Sequence, residues 1–305
     1  MDPLPLLPPR PLNGPHALAV DIGGTKFRAG VVAHDGEIVV SESVPTPRAA
    51  DPETLWGTLA VLVRGVLELG VADVRTCGVG CGGPMGAGGE SVSPLNIPGW
   101  RAFPLRSRLH ALTGLPTFVD NDAKALALAE GRYGRAVGVD DYLAMVVSTG
   151  IGGGLVVDGR LLDGRLGNAG HVGHVVVEPE GRTCACGGRG CLEAEASGLA
   201  IEAVTGRPPA EASLDVISRT GTLVGRAVAS VAALLDLDLA VVSGSVALGF
   251  GTPFFAAAQA ELSARAGLSF SSGARIVTGG LGADGPLAGA AAVGFRGIGL
   301  SGESP

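Results

Sequence analysis

Short apolar runs separated by glycine-rich polar breaks dominate the first part of the chain. Apolar residues at 17–20 and 27–32 predict two strands, and the polar residues 21–26 between them predict a tight turn. Asp35 and Gly36 then form a hairpin signal, after which a third strand begins. The same plan returns near the middle of the chain, which indicates an internal duplication.

The second copy of this plan begins with the apolar run 143–147. Residues 148–154 predict a glycine loop, residues 155–157 predict a further strand, and Asp158 and Gly159 predict a closing turn. A duplication of this kind predicts two similar domains, with one glycine loop on each wall of the cleft between them.

Apolar positions at helical spacing fill most of the remaining chain, and short apolar runs alternate with them. Helices are predicted at 52–69, 105–112, 123–131, 213–235, 253–264 and 286–296, and strands at 76–80, 117–119, 239–242 and 275–277. Strands that alternate with helices in this way predict an α/β fold.

The composition and the charge argue against two classes of protein, those that bind nucleic acids and those that span membranes. Hydrophobic residues make up 46% of the 305 residues, and the net charge is −7 without a basic stripe, which argues against nucleic-acid binding. The first sixteen residues are Pro-rich and predict a loose tail rather than a signal peptide. The best apolar run, 229–242, is broken by Asp236 and Asp238, so we predict no membrane span and a cytoplasmic protein.

One imidazole and three thiols stand in a short glycine-rich window, at His174, Cys184, Cys186 and Cys191. Four ligands of this kind suit tetrahedral Zn²⁺, and a site closed by four protein ligands stabilises a loop without taking part in chemistry. A disulfide or a chance cluster is the alternative. Because nothing in the sequence indicates secretion, we predict a structural zinc site.

Two glycine-rich segments could bring backbone N–H groups close to phosphate oxygens, one at 21–26 and one at 148–154. The first has the spacing of neither a P-loop nor a dinucleotide-binding fingerprint. A plain hairpin turn is the alternative for the first segment. Glycines cost folding entropy, so a cluster of them indicates that the backbone must approach something closely. Because two such segments occur, phosphate binding is favoured.

Asn121 and Asp122 follow a predicted strand and precede a predicted helix. In α/β folds ligands bind at the carboxyl ends of strands, so both side chains are expected to face the cleft. A carboxyl group with the ordinary Asp pKa of about 3.9 is ionised at neutral pH, so Asp122 could accept a proton from a hydroxyl group. Capping of the helix by Asp122, Asp120 or Asn121 is the alternative interpretation.

Five motifs in order carry a resemblance to a known family. They are D-x-G-G-T-K at 21–26, N-I-P-G-W at 96–100, N-D-A at 121–123, S-T-G-x-G-G-G at 148–154, and the block 173–193 with G-H and C-x-C-G-x-x-G-C-x-E. On these motifs the chain resembles a ROK-family sugar kinase from Asp21 to its last helix.

The resemblance implies an actin-like ATPase (ribonuclease H-like) fold, with two similar domains around a central cleft. The first domain is expected to comprise 1–121 together with the C-terminal segment 286–305, and the second domain 122–285. The resemblance also implies that ATP and a hexose bind between them, and that the γ-phosphoryl group passes to the sugar 6-hydroxyl.

Individual residues acquire roles from the same resemblance. Asp122 matches the catalytic base. Sugar ligands are expected at Asn96, Asn121, Asp122, His171, His174 and Glu193. ATP and Mg²⁺ are expected near Asp21, Gly23, Gly24, Thr25, Lys26, Thr149, Gly150 and Gly152, with Gly244 in the loop for the nucleotide base. The family's zinc ligands are matched by His174, Cys184, Cys186 and Cys191.

The segment 170–174 departs from many glucose-specific members, which carry a glutamate at the position of His171. An imidazole accepts one hydrogen bond and donates one, whereas the carboxylate accepts from two hydroxyls. Some bacterial N-acetylmannosamine kinases resemble this His-x-x-His version. The alternative is that His171 only packs at the metal loop. Lys124 follows N-D-A where the family often has a small polar residue, and the sequence assigns it no role.

We therefore expect an ATP-dependent hexose kinase of carbohydrate metabolism, with glucose as the first substrate and N-acetylmannosamine as the alternative. A non-catalytic, sugar-responsive regulator is a hypothesis of another class, because the family includes repressors with an N-terminal winged helix-turn-helix. Only twenty residues precede Asp21, and this argues against such a domain. A homodimer or homotetramer is expected, and the phosphoryl donor, ATP or polyphosphate, is left open.

Overall fold

Two five-stranded mixed sheets form the frame of the protein in a computed structural model, which describes residues 14–48 and 50–300. The predicted tail lies outside these ranges up to residue 13, and so do the last five residues of the segment 286–305. The first sheet contains β1 (His16–Ile22), β2 (Lys26–Ala33), β3 (Ile38–Pro45), β4 (Val74–Cys81) and β5 (Thr117–Asn121). The second contains β6 (Tyr142–Val147), β7 (Ile151–Val157), β8 (Arg160–Leu161), β9 (Leu239–Ser243) and β10 (Arg275–Thr278).

The two sheets repeat one strand order. In the first, β3-β2-β1-β4-β5, strands β1 to β3 pair antiparallel, and β4 and β5 continue parallel to β1. In the second, β8-β7-β6-β9-β10, the pairings have the same directions. This repetition supports the internal duplication, and the predicted α/β class is confirmed.

Eight α-helices complete the part of the chain that the structure describes. They are α1 (Pro52–Glu68), α2 (Leu105–Thr113), α3 (Asp122–Tyr133), α4 (Leu192–Ala196), α5 (Gly198–Thr205), α6 (Leu214–Leu235), α7 (Ser245–Arg265) and α8 (Gly285–Gly297). The prediction for α7, 253–264, is too short by two turns. Gly251 has a φ of 59° inside the helix and Pro253 follows, so the apolar periodicity is interrupted there. No helix within the described ranges combines the length and apolar character that a membrane span needs.

The helices α3 and α8 each pack on the sheet of the other half of the molecule, and we call this the exchange of α3 and α8. Although α3 follows β5, it packs on β6 and β7, and although α8 follows β10, it packs on β1 and β4. Small residues permit close contact between the two helices, since a β-carbon on Gly289 would lie 2.9 Å from the carbonyl of Ala125. This exchange agrees with the division into 1–121 plus 286–305 and 122–285, whose boundaries stay a prediction.

The second glycine segment differs from its prediction. Because β7 begins at Ile151, only Ser148, Thr149 and Gly150 form a turn, and Gly152 to Gly154 belong to the strand. A β-carbon on Gly154 would lie 2.6 Å from that of Ala127 in α3. The glycines of the strand therefore make room for a helix.

Candidate active site at the carboxyl ends of the strands

The carboxyl ends of three parallel strands meet at one edge of the first sheet. Asp21 of β1 pairs with Gly80 of β4, which pairs in turn with Asp120 of β5. Because parallel strands end at the same edge, Asp21 and the residues after Asp120 come together there, as ligand sites of α/β folds do.

Asn121 and Asp122 begin α3 at this edge. Asn121 is the N-cap, since its Oδ1 accepts from the backbone N of Ala123 at 3.0 Å and of Lys124 at 3.4 Å. The capping role therefore belongs mainly to Asn121. Asp122 also accepts from Ala123 N, at 2.8 Å through Oδ1. Solvent reaches its side chain although protein surrounds it, as at the bottom of a cleft, so it can receive a proton from a ligand.

Two carboxyl groups interact across this edge. The pKa of Asp21 is raised to about 7, first because surrounding protein replaces water and then by the charge of Asp122, while Lys26 and Arg28 act in the opposite direction. Loss of solvation also raises the pKa of Asp122, and the nearby His171 opposes this. A bound divalent cation would relieve the repulsion between the two carboxylates, so the pair suits Mg²⁺.

Three predicted sugar ligands converge on the glycine loop that follows β4. A β-carbon on Gly83 would lie 3.6 Å from Asn121 Nδ2 and 3.9 Å from His171 Nε2, and one on Gly82 would lie 3.6 Å from Asn96 Oδ1. Their polar tips thus approach two neighbouring residues of this loop, and Asn121 and His171 lie beside Asp122. This loop was not among the predicted site elements, although its position after a buried parallel strand was a usable signal.

An aromatic stack anchors the segment that carries Asn96. Trp100 is fully buried, stacks on Phe103 with ring centroids 4.5 Å apart, and lies 5.9 Å from the Phe27 ring. Asn96 itself packs against the first glycine turn, because a β-carbon on Gly24 would lie 2.9 Å from that of Asn96. Gly24 is therefore needed for the approach of Asn96, and its predicted contact with phosphate stays a prediction.

His171 presents one ring nitrogen to the site. Its Nδ1 lies 3.0 Å from the carbonyl oxygen of Asn168, which can only accept, so Nδ1 carries a hydrogen. Nε2 is the nitrogen near Gly83 and Asn121. The ring centroids of His171 and His174 are 6.1 Å apart, so the predicted sugar site adjoins the predicted zinc site, and His171 is not one of the four clustered ligands.

His174, Cys184, Cys186 and Cys191 form a compact cluster. Their ligand atoms all lie within 4.8 Å of one another, with 3.8 Å between Cys186 Sγ and Cys191 Sγ and 3.7 Å between Cys184 Sγ and His174 Nδ1. Zn–S bonds of about 2.3 Å in a tetrahedron give ligand separations of about 3.8 Å, so the donor set and the spacing both fit zinc. The described cysteines are all free thiols, so the disulfide alternative is not supported.

The cluster leads directly into α4, which carries Glu193 in its first turn. Glu193 Oε2 accepts from the backbone N of Ile151 at 2.9 Å, and a β-carbon on Gly150 would lie 2.9 Å from the same oxygen. The carboxylate therefore supports the second glycine turn, a contact that the sequence analysis did not foresee. Its predicted contact with sugar hydroxyls stays a prediction.

The turn Ser148–Gly150 lies against the first turns of two helices of the second half. Ser148 O accepts from Gly198 N at 2.8 Å at the start of α5, and Ser148 Oγ lies 2.8 Å from Ser245 Oγ at the start of α7. Gly244, with a φ of 101°, makes the bend that begins α7. Helix N-termini and turn N–H groups favour anions, so this edge suits phosphates.

The sequence profile of the ROK family matches residues 17–294. The chain belongs to the ROK family. An N-acetylmannosamine kinase from Citrobacter koseri is 38% identical over 250 residues, which cover 77% of this chain and 84% of that protein. The family match and the two solved structures described next confirm the actin-like ATPase fold that the resemblance implied.

Two solved structures of ROK proteins resemble this chain along most of its length. A ROK hexokinase from Thermus thermophilus is 31% identical, with a TM-score of 0.79, over 93% of this chain and 99% of that one. A ROK family glucokinase from Streptomyces griseus, in complex with glucose and AMPPNP, is 30% identical with a TM-score of 0.79, over 92% and 99%.

The arrangement in this ROK protein divides the chemical tasks between its two halves. The edge of the first sheet carries carboxylates, at Asp21 and at Asp122 where β5 passes into α3, and the second half supplies backbone N–H groups and hydroxyls around Ser148–Gly150. The sugar ligands expected at Asn96, Asn121 and His171 come from both halves. A carboxylate beside a polar pocket, opposite an anion-binding edge, can transfer a phosphoryl group from a nucleotide to a hydroxyl.

Proposed function

We propose that this ROK protein is an ATP-dependent sugar kinase that phosphorylates the 6-hydroxyl of N-acetylmannosamine. The observation that carries the proposal is the convergence of Asn96, Asn121 and His171 on the glycine loop that follows β4, beside Asp122. The N-acetylmannosamine kinase of Citrobacter koseri, at 38% identity, supports the choice of sugar. The His-x-x-His segment at 171–174 agrees with it.

Glucose, which the sequence analysis ranked first, becomes the second candidate. The Streptomyces griseus glucokinase in complex with glucose and AMPPNP favours it, at 30% identity. The difference in chemistry lies at His171, because one imidazole nitrogen offers a single hydrogen bond where a carboxylate would accept two. A site with fewer acceptors tolerates a sugar in which a hydroxyl is replaced by an N-acyl group.

In the proposed reaction Asp122 orients the 6-hydroxyl and accepts its proton as the phosphoryl group arrives. Asn121 holds a neighbouring hydroxyl, since its Oδ1 caps α3 and its Nδ2 remains to donate. Asp21 would hold Mg²⁺, which neutralises charge on the phosphates when bound. The backbone N–H groups of Gly24 and Gly150 are proposed to contact the triphosphate.

A structural zinc ion is proposed at His174, Cys184, Cys186 and Cys191. Its function is to fix the chain between His171 and α4, and thereby the position of Glu193 against the turn Ser148–Gly150. A closed four-ligand site leaves no coordination position for substrate.

A coupled assay of ADP release with a panel of glucose, mannose, N-acetylglucosamine and N-acetylmannosamine tests the proposal. We expect N-acetylmannosamine to give the highest kcat/KM, and Asp122→Asn to serve as the inactive control. A preference for glucose would select the second candidate. Sugar binding without turnover on any of the four would favour the regulator instead. The predicted homodimer or homotetramer and the cytoplasmic location remain predictions.

A further inference from the structure

Lys124 is a buried ammonium group two residues beyond Asp122. Its side chain is 2% exposed, and Nζ lies 2.9 Å from Asp120 Oδ1, 2.9 Å from Asp163 Oδ1 and 3.3 Å from Gly167 O. An ammonium group has three hydrogens to donate, so each has a partner. Buried ion pairs add little net stability compared with apolar residues of the same size, so stability alone does not explain this one.

The partners of Lys124 in the second half belong to the segment 163–170, which joins β8 to His171. Residues 163–166 are all exposed, and a cavity of 540 Å³ separates the segment from β5 and α8. Along the wall of this cavity Lys124 and Arg296 both reach Asp163, the latter with 2.8 Å between Nη2 and Oδ2. Ionic contacts thus hold the start of the segment to α3 and α8.

The far end of the segment is held by a different contact. Gly170 has a φ of 95° and lies so close to the carbonyl of Gly153 in β7 that no β-carbon would fit. Asn168 O then accepts from Nδ1 of His171. The chain from Asp163 to His171 is therefore short and held at both ends, by Lys124 at Asp163 and by β7 at Gly170. Lys124 itself lies on the helix turn that carries Asp122.

We propose that Lys124, through Asp163, is a positioning residue that fixes His171 relative to Asp122 and so sets the affinity for the sugar. The inference rests on the proposed function. It explains why a lysine stands at this position: one side chain sets the distance between the proton acceptor and a sugar ligand that lies on a distant segment of the chain. Asp163 is half-exposed, so it can be altered with less risk to folding than Lys124.

The test compares Asp163→Asn with Asp163→Glu, which restores a carboxylate. We expect Asp163→Asn to raise the KM for the sugar about tenfold, with less than a twofold change in kcat or in the KM for ATP, and Asp163→Glu to recover most of the loss. Limited trypsin digestion supplies a second readout. Cleavage after Arg165, in the exposed part of the segment, should accelerate about tenfold in Asp163→Asn.

Glu261→Gln is the matched control, because Glu261 also bridges two arginines, Arg226 and Arg265, but on α6 and α7. It should leave the sugar KM and the cleavage at Arg165 unchanged. An Asp163→Asn variant with wild-type KM and wild-type cleavage would overturn the inference, and so would an equal loss in Glu261→Gln. Absence of turnover in the wild-type protein would instead contradict the proposed function, while the digestion would still test whether Asp163 holds the segment 163–170 in place.

Discussion

The edges of the two sheets that face the site share one strand plan and differ in chemistry. The first edge carries ionisable side chains, Asp21 and Asp122, whose pKa values are both raised because surrounding protein replaces water, and that of Asp21 also by the charge of Asp122. The second edge carries the turn Ser148–Gly150, which offers backbone N–H groups and hydroxyls to a ligand. The two edges thus share a common frame, and on the proposed function the first provides the reacting groups and the second the groups that bind phosphate.

The glycines of the two edges also make space for different things. In the first turn Gly24 leaves space for Asn96, a predicted sugar ligand, whereas in β7 Gly154 leaves space for α3. A glycine-rich pattern therefore has one cause at a ligand site and another in a packed sheet. Changes on the first edge should alter activity more than stability, and changes in β7 should do the reverse.

The largest expected effect is that of Asp122→Asn. Loss of a general base should lower kcat by about 10²- to 10⁴-fold, while thermal stability and sugar affinity stay close to wild type. Steady-state kinetics and calorimetric binding of the sugar measure both. Thr149→Ala, on the second edge, is the counterpart and should raise the KM for ATP with a smaller change in kcat. Wild-type kcat in Asp122→Asn would remove this residue from the role of base.

Gly154→Ala should show the opposite pattern. The added methyl group would meet the rigid Ala127 and the backbone of Lys124, so we expect a loss of about 2–3 kcal/mol in the free energy of unfolding, measured by urea denaturation. Gly57→Ala is the matched control, since a β-carbon there meets nothing within 4 Å and improves helix propensity in α1. Equal stabilities of the two variants would contradict the packing explanation.

Removal of one zinc ligand should have an intermediate effect. Cys186→Ser should lower the free energy of unfolding by about 2 kcal/mol, increase hydrogen exchange in 170–193 and weaken sugar binding, because the loop loses its closed site. Elemental analysis should find one zinc per chain in the wild-type protein and less in the variant. Folded, active protein free of zinc would contradict the assignment.

Among the effects on stability the smallest is expected for Asp21→Asn, as a gain in the protein without ligands. The pKa of Asp21 is about 7 in the fold and near 3.8 in the unfolded chain, so the ionised form opposes folding above pH 7. The wild type recovers stability as the pH falls through 7, and the penalty is gone below pH about 4. The full pKa shift would correspond to roughly 4 kcal/mol, but Asp21 is partly exposed to solvent, which screens the effect. We therefore expect a gain of about 1 kcal/mol at pH 8 that vanishes toward pH 4, by thermal melts without Mg²⁺.

Several features were predictable because they depend on neighbours in sequence. The hairpin around Asp35, the helix start at Asn121 and the His-Cys cluster all follow from short spacings, and the structure agrees with each. The start of α7 was missed because Gly251 and Pro253 obscure its periodicity. Glycines 152 to 154 were misread as a loop, since the helix that covers them lies earlier in the chain.

The sequence by itself determined the strand plan, its duplication and the types of chemical group available, because hydrophobic periodicity and turn chemistry act over a few residues. Only the tertiary structure decided which groups meet. His171 reaches Gly83, and Lys124 reaches Asp163, across long stretches of chain that fold back through the exchange of α3 and α8. Such contacts depend on how elements pack, and no local pattern encodes that packing.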